Sequence, residues 1–154
     1  MARKITQEEL NKILDKHKKW LNNEPGGECA DLHYSDLRGC NFCGSNLSGC
    51  NFRDSDLRYS DLRGCNLSYS DLRHCNLRYS DLRGCNLDFS CLPLWCGSLS
   101  AHFDDRQIVQ IIYHAVKAGL ESPNVSDEVK TELRKVAGLA NRFHRAEECG
   151  RIEE

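Results

Sequence analysis

Ten cysteines are the residues of this 154-residue chain with the widest range of chemistry open to them. A thiolate can bind zinc, attack an electrophile or exchange with a disulfide. Cys40 and Cys43 have the Cys-x-x-Cys spacing of many zinc ligands, and Cys91 and Cys96 are close enough in sequence to meet. What these thiols can do depends on the elements that hold them.

A polar segment near the C-terminus, residues 141–149, is the second candidate for chemistry. On one helix, Asn141, His144, Arg145 and Glu148 would cluster at three- and four-residue spacing. We favour a solvated helix end, because the chain has no nucleophile, base and orienting residue at a pattern-defined spacing. We therefore predict that the protein is not an enzyme and has no catalytic, cofactor-binding or metal-binding residues.

Thirteen consecutive five-residue units occupy residues 30–94. Each has a small residue, Asp or Asn, Leu or Phe, and two variable residues, until Cys91 replaces the acid or amide. Neither a helix nor a strand places every fifth residue on one face, so the pattern predicts a repeat architecture whose units stack. The apolar third positions form the predicted structural core: Leu32, Leu37, Phe42, Leu47, Phe52, Leu57, Leu62, Leu67, Leu72, Leu77, Leu82, Leu87 and Leu92.

The same register explains half of the thiols. Five cysteines occupy the small first position, where Ser and Ala also occur: Cys40, Cys50, Cys65, Cys75 and Cys85. As small inward side chains they need no partner. Because Cys40 would point inward and Cys43 outward, we expect no shared metal ion.

These units resemble the pentapeptide-repeat family, with Ser or Cys in place of most of the family's alanines. The resemblance implies a β solenoid: a right-handed quadrilateral β-helix with four units in each coil. Thirteen units would make about three coils, a rod of roughly 15 Å at the usual spacing between strands.

The flanks of the repeat have helical patterns. Thr6 and Glu9 are spaced as a capping box, which predicts a helix over about 7–22 with a packed or rim His17 on its apolar stripe. Asp104 and Gln107 predict a second helix that extends to about 118. Ser126 begins a third, with these apolar residues expected on one side: Val129, Leu133, Val136, Ala140 and Phe143.

This pattern predicts three segments. Residues 1–28 would form an N-terminal capping helix and loop, residues 29–95 the repeat, and residues 96–154 a C-terminal helical cap built as a hairpin. A hairpin of this size exceeds what one end of the repeat requires, so a homodimer contact through the C-terminal helices stays open.

The outward positions divide into four columns when every fourth unit is taken together. Three columns carry Arg. The fourth has no Arg and carries two exposed aromatic residues, so it is our candidate interaction face: Asn46, Asn66, Asn86, Tyr69 and Phe89. An apolar patch with a polar rim is typical of a protein-binding surface.

The charge balance bears on two alternative functions. Residues 30–94 contain eight Asp, seven Arg and no Lys or Glu. Some members of the family imitate DNA and bind DNA gyrase or another type II topoisomerase, but this repeat is too short and too neutral for a good imitation. Binding of nucleic acid through the Arg columns and Tyr34, Tyr59 and Tyr79 is disfavoured, because an Asp stands beside nearly every Arg.

We therefore predict a non-catalytic scaffold that acts by contact with an unidentified protein partner. No apolar run is as long as a membrane span and no signal peptide follows Met1, so we expect a cytoplasmic protein without membrane contact.

Overall fold

The computed structural model describes residues 2–93 and 100–153 and divides the chain into two compact units, Met1–Phe103 and Asp104–Glu154. The elements are β1 (Arg3–Lys4), α1 (Gln7–Leu21), β2 (Ser35–Asp36), α2 (Asp105–Glu121), α3 (Asp127–Arg134), α4 (Ala137–Ala140) and α5 (Ala146–Cys149). Cys96 and the predicted boundary at residues 95 and 96 lie outside the described residues. None of the helices described here is long and apolar enough to cross a membrane.

A parallel ladder joins residues of the first unit that stand twenty positions apart. Regular strand is short, since β1 and β2 have two residues each. At one step the Leu32 N–H donates to the Asn51 carbonyl at 2.8 Å, and the Asn51 N–H donates to the Ala30 carbonyl at 3.2 Å. The isolated bridges with this period run from Asp31↔Asn51, Asp36↔Asp56, Asn41↔Asp61 and Asn46↔Asn66 to Asp71↔Cys91. Twenty residues are four pentapeptide units.

The apolar third positions lie inside this ladder. From Leu32 to Leu87 each is at most 5% exposed, and Leu92 is half-buried against the same cluster. The small first positions are also inside, where a hydroxyl or thiol donates to a core carbonyl. Ser55 Oγ donates to the Leu32 carbonyl at 2.6 Å, and Cys65 Sγ to that of Phe42 at 3.0 Å. Ser and Cys can replace Ala here because their polar hydrogen finds an acceptor.

Each unit turns a corner after its apolar residue. The Cys40 N–H, for example, donates to the Leu37 carbonyl at 3.1 Å. Such a turn holds its third residue, the fifth of the unit, at positive φ, a conformation that favours Gly. The fifth positions with positive φ are Tyr34, Gly39, Gly44, Gly49, Asp54, Tyr59, Gly64, Tyr69, His74, Tyr79, Gly84 and Phe89.

The ladder extends beyond the last recognisable unit. We expected the repeat to end at residue 95, since Pro93 cannot donate a backbone hydrogen bond. The Tyr79 N–H nevertheless donates to the Ser100 carbonyl at 3.0 Å, and His102 pairs with Asp81. The spacing there is twenty-one residues, which a strict five-residue pattern does not reveal.

The N-terminal segment lies on the first edge of the ladder. Helix α1 begins at the predicted capping box of Thr6 and Glu9. Strand β1 pairs with β2. The Gln7 side chain forms two hydrogen bonds with the Asn41 backbone: its Nε2 donates to the Asn41 carbonyl at 2.9 Å, and its Oε1 accepts the Asn41 N–H at 2.8 Å. The fully buried His17 accepts the Ala30 N–H at Nδ1. Backbone groups that would otherwise be unpaired at a strand edge are thus hydrogen-bonded.

The second unit packs α2 against α3 and α4 around Tyr113, Ala137, Ala140 and Phe143. The prediction of one helix with Val129 and Val136 on its buried side was wrong. Helix α3 ends at Arg134, and these two valines are 49% and 40% exposed. The Lys135 and Val136 N–H groups bond three residues back instead of four, which tightens and ends the helix before α4 begins.

Candidate interaction faces

The Arg-free face is the outer surface formed by Asn46, Asn66 and Asn86 with Tyr69 and Phe89. Asn66 Nδ2 donates to Asn46 Oδ1 at 3.1 Å across the ladder. The Tyr69 and Phe89 rings stack with centroids 4.8 Å apart and planes 11° apart. These rings are 65% and 60% exposed, so the stack presents an apolar surface to solvent.

Trp20 of helix α1 extends this face beside Gly49, in the first row of the column. A Cβ at Gly49, the residue one step before Tyr69 in the same column, would lie 3.7 Å from Trp20 Cη2. The Trp20 ring also stacks on His17, with centroids 5.4 Å apart. The indole therefore occupies the place that an aromatic residue occupies in each of the next two rows.

A second aromatic stack was missed by the sequence reasoning, which grouped its tyrosines with the Arg columns. We call this the tyrosine face: Tyr59, Tyr79, Asp36, Arg38, Asp56, Arg58, Asn76 and Arg78. The Tyr59 and Tyr79 rings stack at 5.1 Å and 11°, with 63% and 49% of each residue exposed. The available signal was the twenty-residue spacing of two tyrosines at fifth positions.

The aromatic residues of both faces hold an unfavourable backbone conformation. Tyr59, Tyr69, Tyr79 and Phe89 have φ between 59° and 61°. A bulky residue in this region costs roughly 1–2 kcal/mol that Gly does not pay. Since five other fifth positions are Gly, the four rings are placed where the fold does not require them, which points to a surface role.

Most Arg side chains of the ladder are bound to an Asp of their own unit. Arg53 lies 3.3 Å from Asp54. The Arg–Asp distance is 2.6–2.7 Å in the five other pairs: Arg38–Asp36, Arg58–Asp56, Arg63–Asp61, Arg73–Asp71 and Arg83–Asp81. The hydrogen-bonded guanidinium lowers the pKa of Asp36, and likewise of Asp81, to about 2. These pairs offset the repulsion between stacked Arg residues.

The thiols are divided as the register requires. Cys40 is buried and Cys43 is exposed. Desolvation by burial raises the pKa of Cys75 to about 12, so this thiol stays protonated. Within the described ranges no group of three or more His, Cys, Asp or Glu residues could hold a metal ion.

The polar C-terminal segment does not form one helix. Asn141 is buried, and its side chain forms two hydrogen bonds with the Ile152 backbone. Its Nδ2 donates to the Ile152 carbonyl at 2.9 Å, and its Oδ1 accepts the Ile152 N–H at 2.8 Å. His144 Nε2 lies 3.3 Å from Arg106 Nη2, and Arg145 binds Glu148 at 2.8 Å. Asn141 therefore holds the chain end in place, and these residues do not converge on one point.

Solved structures similar to this chain include several pentapeptide-repeat proteins. A thylakoid lumen protein of Arabidopsis thaliana has 23% identity over 70% of this chain and 66% of its own, with a TM-score of 0.34. HetL of Nostoc sp. strain PCC 7120, involved in heterocyst differentiation regulation, has 28% identity over 49% of this chain and 35% of its own, with a TM-score of 0.26.

A third solved structure is a trypsin-treated form of QnrB1, a plasmid-mediated fluoroquinolone resistance protein. It has 15% identity over 58% of this chain and 53% of its own, with a TM-score of 0.22. The chain thus spans less than two thirds of the length of each of these three proteins. No curated protein matches it.

A family model described as pentapeptide repeats (8 copies) matches residues 28–64 and, overlapping them, residues 55–92. The matched part begins and ends within a few residues of the thirteen units and contains both aromatic stacks. Residues 28–92 of this chain are thus repeats of the pentapeptide-repeat family.

Proposed function

We propose that this protein is a non-catalytic scaffold that binds a protein partner through the Arg-free face. The observation that carries the proposal is the exposed Tyr69–Phe89 stack, held at positive φ on the column without Arg. Exposed aromatic side chains with a polar rim are typical of the centre of a protein interface. Asn46, Asn66 and Asn86 would form the polar part of this surface.

The scaffold itself is the right-handed quadrilateral β-helix of about three coils implied by the family. The twenty-residue ladder supports this arrangement, because four units then complete one coil. The contacts of β1, Gln7 and His17 with the first edge support residues 1–28 as a cap. The roles of residues 96–154 as a second cap and as a homodimer contact remain predictions, as does a cytoplasmic location.

The charge pairing supports a protein partner over nucleic acid. Five of the seven Arg residues in the ladder are neutralised by bidentate contact with an Asp of the same unit. A guanidinium that already binds a carboxylate gains little from a phosphate, because the existing ion pair must first break. The same balance argues against imitation of DNA, whose charge is uniformly negative.

A pull-down from a lysate of the source organism tests the proposed face. The Tyr69→Ser, Phe89→Ser variant is compared with wild type and with Tyr59→Ser, Tyr79→Ser, which removes an equally exposed stack elsewhere. We expect a partner, identified by mass spectrometry, that is lost with the first variant and kept with the second. Equal capture by all three proteins would contradict the face, and absence of any enriched protein would contradict an interaction role.

Removal of residues 1–24 tests the N-terminal cap. The truncated chain should associate, since the first edge of the ladder would expose unpaired backbone groups. A truncated protein that remains monomeric by light scattering would contradict the cap.

A further inference from the structure

One Arg of the ladder differs from the six that form an ion pair with an Asp of their own unit. In the unit Asn76-Leu77-Arg78 the second position is Asn, so Arg78 lacks the carboxylate of its own unit. Asn76 Oδ1 still accepts the Arg78 backbone N–H at 3.3 Å, as Asp Oδ1 does elsewhere. Within the described part of the chain, however, the exposed Arg78 side chain forms no hydrogen bond or ion pair.

This free guanidinium stands beside an aromatic platform. Arg78 is next in sequence to Tyr79, whose ring stacks on Tyr59. Asp56, the carboxylate one row away in the same column, already binds Arg58 at 2.6 Å. The Arg78 guanidinium can therefore donate two hydrogen bonds to an incoming group, and it lies next to exposed apolar surface.

The tyrosine face is also the only column of the ladder with positive formal charge. Over positions 31–89 it has three Arg and two Asp, a net charge of +1. The column of Asp31, Asp54 and Asp71 has two Arg and a net charge of −1, the Gly column is neutral, and the Arg-free face carries only Asp88. Lys4 of β1 pairs in register with Asp36 and adds a further positive charge at the edge.

We propose that the tyrosine face binds an acidic segment of a protein, with a Glu or Asp carboxylate on Arg78 and apolar parts of the segment on Tyr59 and Tyr79. The incoming carboxylate would accept from Arg78 Nε and Nη2, as Asp56 does from Arg58 at 2.9 and 2.6 Å. Arg is suited to this because its planar fork binds a carboxylate with two parallel hydrogen bonds. The proposal does not depend on a partner for the Arg-free face.

A single substitution can occupy the Arg78 guanidinium while Arg78 keeps its positive charge. Asn76→Asp would give this unit the Asp-Leu-Arg arrangement of its neighbours, so that Arg78 becomes bound within the molecule. The matched control is Cys43→Asp, which adds the same charge at an exposed position of the ladder that belongs to neither candidate face. Thermal unfolding would verify that both variants are folded.

Fluorescence anisotropy with a labelled hexaglutamate peptide at low salt tests the proposal. We expect wild type and Cys43→Asp to bind equally, and Asn76→Asp and Arg78→Gln to bind at least about fivefold more weakly, the effect of one exposed ion pair near its upper limit. Binding should also weaken with salt. Equal weakening by Asn76→Asp and Cys43→Asp, or no binding by wild type, would overturn the proposal.

A second probe separates the acidic segment from nucleic acid. Labelled oligothymidylate with the same number of charges carries phosphates and stacking bases in place of carboxylates. We expect weaker binding than hexaglutamate. Tighter binding of the oligonucleotide, lost in Asn76→Asp, would show that the face binds nucleic acid and would overturn an acidic protein segment as its occupant.

Discussion

The two units of this chain achieve a buried core in different ways. In residues 2–93 the core is a periodic column of Leu with Phe42 and Phe52, lined by small residues that repeat with the same period. In residues 104–153 the core is a small set of different side chains brought together by α2, α3 and α4. A periodic core is readable from spacing alone, whereas an irregular one depends on where each helix ends.

The largest effect should come from a charge in the periodic core. Leu62 is fully buried in the middle of the column, so Leu62→Asp would place an unpaired carboxylate there. We expect a cost of more than about 5 kcal/mol, comparable with the whole stability of a small domain. Circular dichroism should show an unfolded or aggregated protein. Cys43→Asp, at an exposed position of the same ladder, is the control and should fold normally.

The corresponding change in the irregular core is Tyr113→Ala. Tyr113 is 1% exposed, packs on Phe143 with ring centroids 4.8 Å apart, and donates its hydroxyl hydrogen to the Gly150 carbonyl at 2.8 Å. Loss of a buried aromatic side chain costs about 3–5 kcal/mol. Hydrogen exchange should accelerate in α2 and α4 but not in residues 47–72. Equal acceleration in both regions would contradict two separate cores.

These two cores also explain what could be predicted from the sequence. The Leu column, the capping box at Thr6 and the start of α2 follow from local patterns that tertiary contacts did not alter. The break at Val136 was missed because the apolar spacing continues through it. Gln7 was missed because pairing between a side-chain amide and a ladder edge has no sequence period.

The candidate faces show a related limit. Tyr69 and Phe89 stood out because their column has no Arg. Tyr59 and Tyr79 have the same spacing, but each follows an Arg, so their column was interpreted by its charge. The sequence shows that the unit of Arg78 has Asn76 where the unit of Arg58 has an Asp. Only the Arg–Asp pairs in the structure show that this Asp normally binds the guanidinium of its own unit.

A smaller effect concerns His17, at the join between α1 and the ladder. Burial lowers the pKa of His17 below its ordinary value of 6.5, and the Ala30 N–H occupies Nδ1. A lowered pKa means that the unfolded chain binds the proton more readily. The stabilising contribution should thus be complete above pH 6.5 and be lost as the pH falls below it.

Chemical denaturation between pH 7 and pH 5 measures this contribution. The His17→Gln substitution should remove most of the pH dependence of the free energy of unfolding. The His33→Gln substitution, at an exposed position, should leave that dependence in place. Identical profiles for the two variants would contradict a role for His17. The Asp–Arg pairs act in a more acidic range, because the pKa of Asp36 and Asp81 is about 2 and their contribution is lost between about pH 4 and pH 2.

The smallest effect on stability should come from the residues with the strongest case for function. Tyr69→Gly with Phe89→Gly removes the stack, worth about 0.5–1.5 kcal/mol. It also relieves positive φ at two positions, worth roughly 1–2 kcal/mol each. Gly64 and Gly84 already hold this conformation in the next column. We expect the free energy of unfolding to change by less than about 1 kcal/mol once the lost ring contacts are included.

A change of this size separates the two roles that an exposed stack can have. If urea denaturation shows a loss of more than about 2 kcal/mol, the rings stabilise the ladder and their exposure needs no partner. If stability is unchanged while the partner is lost, the strained aromatic residues are retained for recognition. The periodic core then carries the fold, and fifth positions that Gly could occupy are used to form a binding surface.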